Sequence, residues 1–247
     1  MLIAILSDLH ANREASAACL DHAAAQGAEL YAFLGDLVGY GADPAWTVDT
    51  VMGYAQRGAL VVYGNHDQAV AQQASAQMNA VARQAVEWTR AQLSAEQLAF
   101  LTGLPLTVER DDCLFVHASA AHPEQWEYVT DTQDAVRSMY ATRCRITFCG
   151  HVHGPALYHM SPTGKVAAFA PAVGYGIPLG PQRRWLAIPG SVGQPRDGNP
   201  AAGYALYDQY VGELTYHRVP YDHESAAKKI LAAGLPPRFA SRLALGV

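Results

Sequence analysis

Charged residues are scarce in this chain. Lys, Arg, Asp and Glu together make up 16% of its 247 residues, and basic residues are the minority, 17 against 22 acidic ones. The resulting net charge of -5 argues against broad binding to nucleic acid or to an anionic membrane. The sequence also lacks an apolar stretch long enough to span a bilayer. A hydrophobic content of 50% favours a globular protein with a large buried core.

Cysteine is also sparse. The four cysteines form no CxxC pair, which argues against a zinc ribbon or a disulfide framework and favours reduced, buried thiols. Residues 1–6 contain no basic region, and their apolar run is too short for a signal peptide. We therefore expect a cytoplasmic protein. The cysteines are Cys19, Cys113, Cys144 and Cys149.

Strand patterns alternate with helix patterns in the first part of the chain. Short apolar runs at residues 2–6, 31–34 and 60–63 predict buried strands. Helices are predicted over residues 12–26, with Asn12 as the N-cap, and over 44–57. This alternation indicates parallel strands that are joined by right-handed crossovers.

The remainder of the chain is richer in predicted strands. Residues 68–102 predict two or three helices, and further helices are predicted over 132–141 and 223–233. Glycine and proline are concentrated in residues 171–200, which predicts a long functional loop. We find neither a repeat nor a linker, so we expect a single domain over residues 1–247. The predicted strands are 106–108, 113–116, 146–149, 156–160, 166–169, 185–188, 204–207 and 214–219.

Polar side chains follow several predicted strands directly where each strand ends. In open α/β sheets the carboxyl ends of the strands form the ligand crevice, so we expect these side chains to converge. Residues two apart in extended backbone project to the same side, which would apply to Asp8 with His10 and to His151 with His153. The candidate metal ligands are Asp8, His10, Asp36, Asn65, His117, His151 and His153.

This ligand set predicts a metal centre. Imidazole, carboxylate and amide donors without a thiolate suit Mn, Fe, Zn or Co better than Ca or Mg. The candidates are too numerous for one ion and suit two ions that share a bridging carboxylate. Two metals roughly 3.5–4 Å apart can clamp the attacking and leaving oxygens of a displacement at phosphorus.

Five motifs that contain these ligands resemble those of the calcineurin-like metallophosphoesterases. Each motif alone is weak, but the five in this order are very specific. The segment that begins at Gly190 and the C-terminal extension are similar to the small bacterial and archaeal phosphodiesterase-like branch. The motifs are Asp8-Leu9-His10, Gly35-Asp36-Leu37-Val38-Gly39, Gly64-Asn65-His66-Asp67, His117 and Gly150-His151-Val152-His153.

The resemblance implies both a fold and a set of residue roles. The fold is a four-layer αββα sandwich, in which two mixed β-sheets pack face to face with helices outside. His66 would protonate the leaving oxygen without binding a metal, and Asp67 would orient His66. The implied cofactor is a pair of divalent or trivalent ions (Mn, Fe or Zn). Asp8, His10 and His153 would hold the first ion, Asn65, His117 and His151 the second, and Asp36 would bridge them.

Several residues near the motifs allow two interpretations. Asn12 is a helix cap and also a candidate phosphate contact, because helix N-termini attract anions. Arg13 and Arg196 are either phosphate-binding groups or solvated surface arginines. For Tyr40 and Trp126 we favour structural packing over a place in the site.

The implied reaction is hydrolysis of a small-molecule or nucleotide phosphomonoester or phosphodiester. A protein serine/threonine phosphatase is an alternative, because the same centre supports that reaction. A catalytically inactive binding scaffold of the same fold is a second alternative. The complete ligand set together with His66 argues against the scaffold. Substrate choice depends on loops, so the sequence does not decide between small esters and phosphoproteins.

Overall fold

Two six-stranded β-sheets form the centre of the computed structural model, which describes residues 1–72 and 80–247. The first sheet contains, in spatial order, β3 (Leu60–Val61), β2 (Leu30–Phe33), β1 (Leu2–Leu6), β11 (Ala202–Asp208), β12 (Glu213–Val219) and β9 (Gly176–Pro178). The second contains β4 (Thr107–Arg110), β5 (Cys113–Val116), β6 (Ile146–Phe148), β10 (Arg184–Ile188), β7 (Ala156–Met160) and β8 (Val166–Phe169). Both sheets are mixed, because parallel pairs such as β1 with β2 and β5 with β6 lie beside antiparallel ones.

The helices begin where the sequence supplies capping groups. Asn12 accepts a hydrogen bond from the backbone N–H of Ala15 and caps α1, and Ser94 forms a capping box with Gln97 at α5. The helices are α1 (Arg13–Ala25), α2 (Pro44–Gln56), α3 (Asn65–Gln72), α4 (Ala80–Ala91), α5 (Ala95–Thr102), α6 (Thr132–Tyr140), α7 (His223–Ala232) and α8 (Pro237–Leu245). The helices predicted within residues 68–102 correspond to α3, α4 and α5, and residues 73–79 of that prediction lie outside the described residues.

The hydrophobic core is divided into layers by the two faces of each sheet. On β1, Ile3 and Ile5 pack in the cluster between the sheets, while Ala4 and Leu6 pack in the cluster that includes α1 and α2. A third cluster joins α6 to the outer face of the second sheet. The helix–sheet–sheet–helix order confirms the predicted αββα sandwich.

The long Gly- and Pro-rich segment contains one strand that the sequence pattern did not predict. Strand β9 pairs with β12 at the edge of the first sheet. Its apolar signal is a single isoleucine, Ile177, between Gly176 and Pro178, which is too short for a recognisable alternation. An edge position tolerates proline because one side of the strand needs no N–H donor.

Two further sequence expectations can be compared with the described residues. All four cysteines are free and buried, as expected for reduced thiols. No helix in residues 1–72 and 80–247 is long and apolar enough to cross a membrane. The single-domain assignment over residues 1–247 stays a prediction.

The layer between the sheets generates a stability prediction. Phe148 is fully buried there and stacks on Phe115 with ring centroids 5.4 Å apart. Phe148→Ala is expected to lower the free energy of unfolding by about 3–5 kcal/mol, because it leaves a cavity in a closely packed layer. Urea denaturation measures this. Tyr140→Ala, at a residue that is 64% exposed, is the control and is expected to change stability by less than about 0.5 kcal/mol. Equal losses in both variants would contradict this account of the core.

Candidate active site

Buried acidic and histidine side chains converge at the carboxyl ends of β1, β2, β5 and β6. They form two groups, and within each group the ligand atoms all lie within 4.8 Å of one another. Asp36 belongs to both groups. One group is Asp8, His10, Asp36 and His153, and the other is Asp36, His117 and His151.

Asn65 completes the predicted ligand set. It is the first residue of α3, and its side-chain oxygen lies 3.1 Å from Nε2 of His117. This contact places the amide oxygen with the second group. The structure therefore brings together all the candidate ligands, although they are distributed over residues 8 to 153 of the chain.

Backbone carbonyl groups fix the orientation of three of the histidines. Each accepts a hydrogen bond from Nδ1 of one imidazole, which directs Nε2 towards the centre. His151 is oriented differently, with Nδ1 3.2 Å from Nε2 of His117. The carbonyl contacts are His10 to Val38 at 3.1 Å, His117 to Leu34 at 2.7 Å and His153 to Gln194 at 2.6 Å.

The backbone around the ligands lies in the left-handed region, which corrects one sequence argument. We assumed extended backbone for the two spaced pairs, but φ is 55° at Asp8, 47° at His10, 67° at His151 and 66° at His153. His151 and His153 belong to different ligand groups, whereas Asp8 and His10 belong to the same one. Such conformations are costly for residues other than glycine and are concentrated at functional sites. Asp36 shares this feature, with a φ of 51°.

Glycines beside the ligands allow close approach of the loops. A Cβ on Gly64 would lie 2.2 Å from the backbone nitrogen of Asp36. A Cβ on Gly150 would lie 1.8 Å from Oγ of Ser7. Any larger residue at either position would therefore displace a loop that carries a ligand.

Burial gives the acidic groups unusual proton affinities. Burial is the main cause that raises the pKa of Asp8 to about 6. The pKa of Asp36 is lowered well below its usual range, because His117 and His66 outweigh the effect of burial. Oδ1 of Asp8 is buried and, among the described residues, has no hydrogen-bond partner. A metal cation is a suitable partner for this oxygen, so the donors fit the ions predicted from the sequence.

The histidines differ in charge state. Burial lowers the pKa of His151 to about 4 and that of His153 to about 3, so both imidazoles are neutral ligands at pH 7. Burial acts in the same direction on His117, but the Asp36 carboxylate, 3.5 Å from Nε2, outweighs it and raises the pKa of His117 to about 9. A metal ion must therefore displace a proton from His117.

His66 lies beside the ligand groups. Its ring makes an edge contact with His10 at 5.0 Å, and its backbone N–H donates to Oδ1 of Asp36 at 2.8 Å. The carboxylate of Asp67 contacts the backbone instead of the His66 ring. It accepts hydrogen bonds from the N–H groups of Leu37 (2.9 Å), Val38 (3.2 Å) and Gly64 (3.0 Å). Asp67 thus joins the loop after β2 to the turn before α3.

The two predicted substrate contacts, Asn12 and Arg196, differ in how many of their polar atoms are hydrogen-bonded within the protein. Asn12 is buried, accepts from Ala15, and donates to the carbonyl oxygen of Gly193 at 2.8 Å and to the hydroxyl of Tyr221 at 3.2 Å. Its role is that of a cap, and no free donor faces a phosphate. Arg196 lies near the first group and lowers the pKa of His153. Its Nε is buried and unpaired among the described residues, so a donor remains for an anion.

Aromatic side chains surround the ligands, and the sequence analysis did not assign them to the site. Tyr40 packs against His66 at 4.5 Å and against His10 at 4.7 Å. Tyr128 is half exposed and stacks on His151 with centroids 4.0 Å apart and planes at 13°. Trp126 lies 5.8 Å from His117. Interpreting Tyr40 and Trp126 as packing residues was incomplete, because no motif or spacing marks an aromatic wall.

An αββα sandwich whose two Asp/His groups share one carboxylate is the architecture of the metallophosphoesterase class. A model of the calcineurin-like phosphoesterase superfamily domain matches residues 1–210, and the chain belongs to that superfamily. Members of the superfamily use divalent metal ions. Helices α7 and α8 lie beyond the matched residues.

Similar proteins extend over the whole chain. An uncharacterized protein of Methanocaldococcus jannaschii is 36% identical over 255 residues, which cover 99% of this chain and 98% of that protein. The crystal structure of a metallophosphoesterase from Sphaerobacter thermophilus is 37% identical with a TM-score of 0.89, covering 100% of this chain and 99% of that one. A hypothetical protein from Pyrococcus horikoshii shares the fold, with 20% identity, a TM-score of 0.81, and coverage of 100% and 98%.

The protonation of the site generates a prediction about metal affinity. His117 with a pKa of about 9 carries a proton at pH 7, and Asp8 with a pKa of about 6 takes up another as the pH falls through 6. Affinity for Mn is therefore expected to rise as the pH increases from 6 to 9, with about one proton released per centre at pH 7. Calorimetric titration in buffers of different ionisation enthalpy measures the release. Binding without proton release at pH 7 would contradict this assignment.

Proposed function

We propose that this chain is a metal-dependent phosphoesterase that hydrolyses small phosphomonoesters or phosphodiesters at a dinuclear centre. The observation that carries the proposal is the shared carboxylate of Asp36, which lies in both ligand groups. Membership of the calcineurin-like superfamily supports the reaction class. Mn, Fe and Zn suit the mixed imidazole and carboxylate donors.

The ligand assignment follows the two groups. His10 and His153 approach the first position through Nε2, and their Nε2 atoms lie 3.2 Å apart. Two neutral nitrogens this close, with both Nδ1 atoms bonded to carbonyl groups, favour a shared cation. We propose Asp8, His10, Asp36 and His153 for the first ion and Asp36, Asn65, His117 and His151 for the second.

The bound ions supply Lewis acidity and lower the pKa of a water molecule at the centre. The chain itself supplies the remaining functions. Arg196 is proposed to bind a phosphate oxygen through its free Nε, and His66 to donate a proton to the leaving oxygen. Burial lowers the pKa of His66, and an anionic phosphate beside the ring would raise it again towards the range of a useful acid. Asp67 is proposed to position His66 indirectly, by holding the backbone of both neighbouring loops.

Small esters are favoured over phosphoproteins by charge. The chain has a net charge of -5, which is unfavourable for docking an acidic phosphorylated segment over a broad surface. A small ester needs only the local positive charge of the ions and Arg196. A protein phosphatase is therefore the less favoured of the two reactions.

Asp36→Asn tests the shared carboxylate. The variant is expected to lose at least one of two bound metals. Loss of a residue that only supports a metal ligand costs roughly 10- to 100-fold in activity. Loss of the shared ligand is expected to lower kcat/KM by more than that. Elemental analysis of the purified protein and hydrolysis of bis(p-nitrophenyl) phosphate with added Mn measure both effects. Asp21→Asn, at an exposed position of α1, is the control. Near-normal turnover with a full metal content in Asp36→Asn would overturn the dinuclear centre.

His66→Gln tests proton donation. The variant is expected to keep both metals and to lose about 10²- to 10⁴-fold in kcat on alkyl phosphate esters, whose leaving alkoxides need a proton. The loss on nitrophenyl esters should be much smaller, because nitrophenolate leaves without protonation. His122→Gln, at an exposed histidine, is the control. Equal losses on both substrates, or a lost metal, would make His66 a ligand or a positioning residue instead.

A further inference from the structure

A cavity of about 530 Å³ opens beside His66 and is separate from the ligand groups. Its walls come from α3, α4 and α8 and from the loops that carry Tyr40 and Trp126. The volume is within the range of pockets that bind small organic molecules. His66 and Asn65 line this cavity and also contact candidate metal ligands, so the cavity adjoins the candidate metal site at these residues.

Aromatic rings form part of a mixed lining, which also includes polar side chains such as Gln72 and Thr89. Tyr40 and Phe239 make an edge contact at 5.0 Å, and Ala69 and Val86 contribute aliphatic surface between the helices. The indole N–H of Trp126 donates to Gln68 at 3.0 Å, which fixes the orientation of that ring. Preorganised aromatic walls favour planar ligands, which stack or make edge contacts with them.

The described lining of the cavity carries positive charge. Arg238 is exposed at the rim and lies over the ring of Phe239 at 5.4 Å. Among the described lining residues there is no carboxylate. A guanidinium above an aromatic wall also attracts the face of an incoming aromatic ring.

The position of His66 defines which part of a substrate enters this space. A proton donor must lie within hydrogen-bond reach of the leaving oxygen. The rest of the leaving group then continues past His66, away from the metals. We propose that the cavity binds the leaving group of the ester and selects for an aromatic ring. This inference rests on the proposed phosphoesterase activity and adds a substrate class to it.

The selecting wall comes from a part of the chain outside the superfamily match. Residues 1–210 match the common domain, whereas Arg238 and Phe239 are in α8. The preceding helix, α7, is anchored to the common domain by Lys229, which pairs with Glu14 at 2.5 Å and with Asp43 at 2.8 Å. Under this proposal the C-terminal helices contribute to substrate choice from outside the matched domain.

Ligand binding tests the proposal directly. The probes are benzylphosphonate, cyclohexylmethylphosphonate and methylphosphonate, titrated calorimetrically into the Mn-loaded protein. Benzylphosphonate is expected to bind about tenfold or more tightly than methylphosphonate, because its ring leaves water. It is also expected to bind about threefold more tightly than the cyclohexyl analogue, because of the aromatic and cationic walls. Equal affinity for the two ring compounds would overturn the aromatic selection, and equal affinity for all three would overturn the pocket.

Two variants and one control test which residues cause the differences in affinity. Ala69→Phe fills the cavity and is expected to reduce the benzyl-to-methyl ratio about tenfold, towards one. Ala24→Phe, on an exposed position of α1, adds the same ring elsewhere and is expected to keep the wild-type ratio. Arg238→Gln changes an exposed residue, so it provides the decisive comparison if Ala69→Phe does not fold. It is expected to reduce the benzyl-to-cyclohexyl ratio about threefold, and an unchanged ratio would overturn the assignment of this wall.

Failure of this inference can be distinguished from failure of the proposed function. Hydrolysis of bis(p-nitrophenyl) phosphate, dependent on added metal, tests the function. If that reaction occurs and the three phosphonates bind equally, only the leaving-group pocket is wrong. If two metals bind but no phosphate ester is hydrolysed, the proposed function is wrong, and the inference is withdrawn with it.

Discussion

The buried carboxylate of Asp36 is the group on which the site depends. Its Oδ2 lies 3.5 Å from Nε2 of His117 and 3.7 Å from Nε2 of His10, and Oδ1 accepts from the backbone of His66. A buried charge is costly unless opposite charge or hydrogen bonds surround it. In the metal-free chain the proton on His117 provides part of that compensation. A metal ion bound by His117 would replace this proton, so metal binding would also balance the charge of Asp36.

The scaffold fixes both the loops and the histidine side chains around this charge. Backbone carbonyl groups orient His10, His117 and His153, and the carboxylate of Asp67 accepts from three backbone N–H groups. Left-handed backbone at several ligands is costly, and the packed αββα layers supply the stability that tolerates it. The ligand geometry is therefore largely preorganised before a metal binds.

The candidate metal centre lies beside a wall that the C-terminal helices help to form. The ligand groups lie within the residues that match the superfamily, whereas α8 does not. Tyr40 connects the two parts, because its ring contacts His10 and His66 on one side and Phe239 on the other. Under the proposed leaving-group pocket, a change in the C-terminal helices would alter substrate choice while the candidate ligand set stays the same, as expected where function depends on sites grafted on a fold.

The sequence by itself determined the strand ends and predicted the candidate ligands, because short apolar runs followed by Asp, Asn or His are local signals. The αββα fold was predicted through the resemblance of its ordered motifs to the calcineurin-like metallophosphoesterases. The tertiary structure alone decided the left-handed backbone at the candidate ligands, the occupied amide of Asn12, and the contacts of Asp67. It also decided the cavity beside His66, where Phe239 meets Tyr40. These features depend on contacts between segments distant in the chain, and no local pattern encodes where such segments meet.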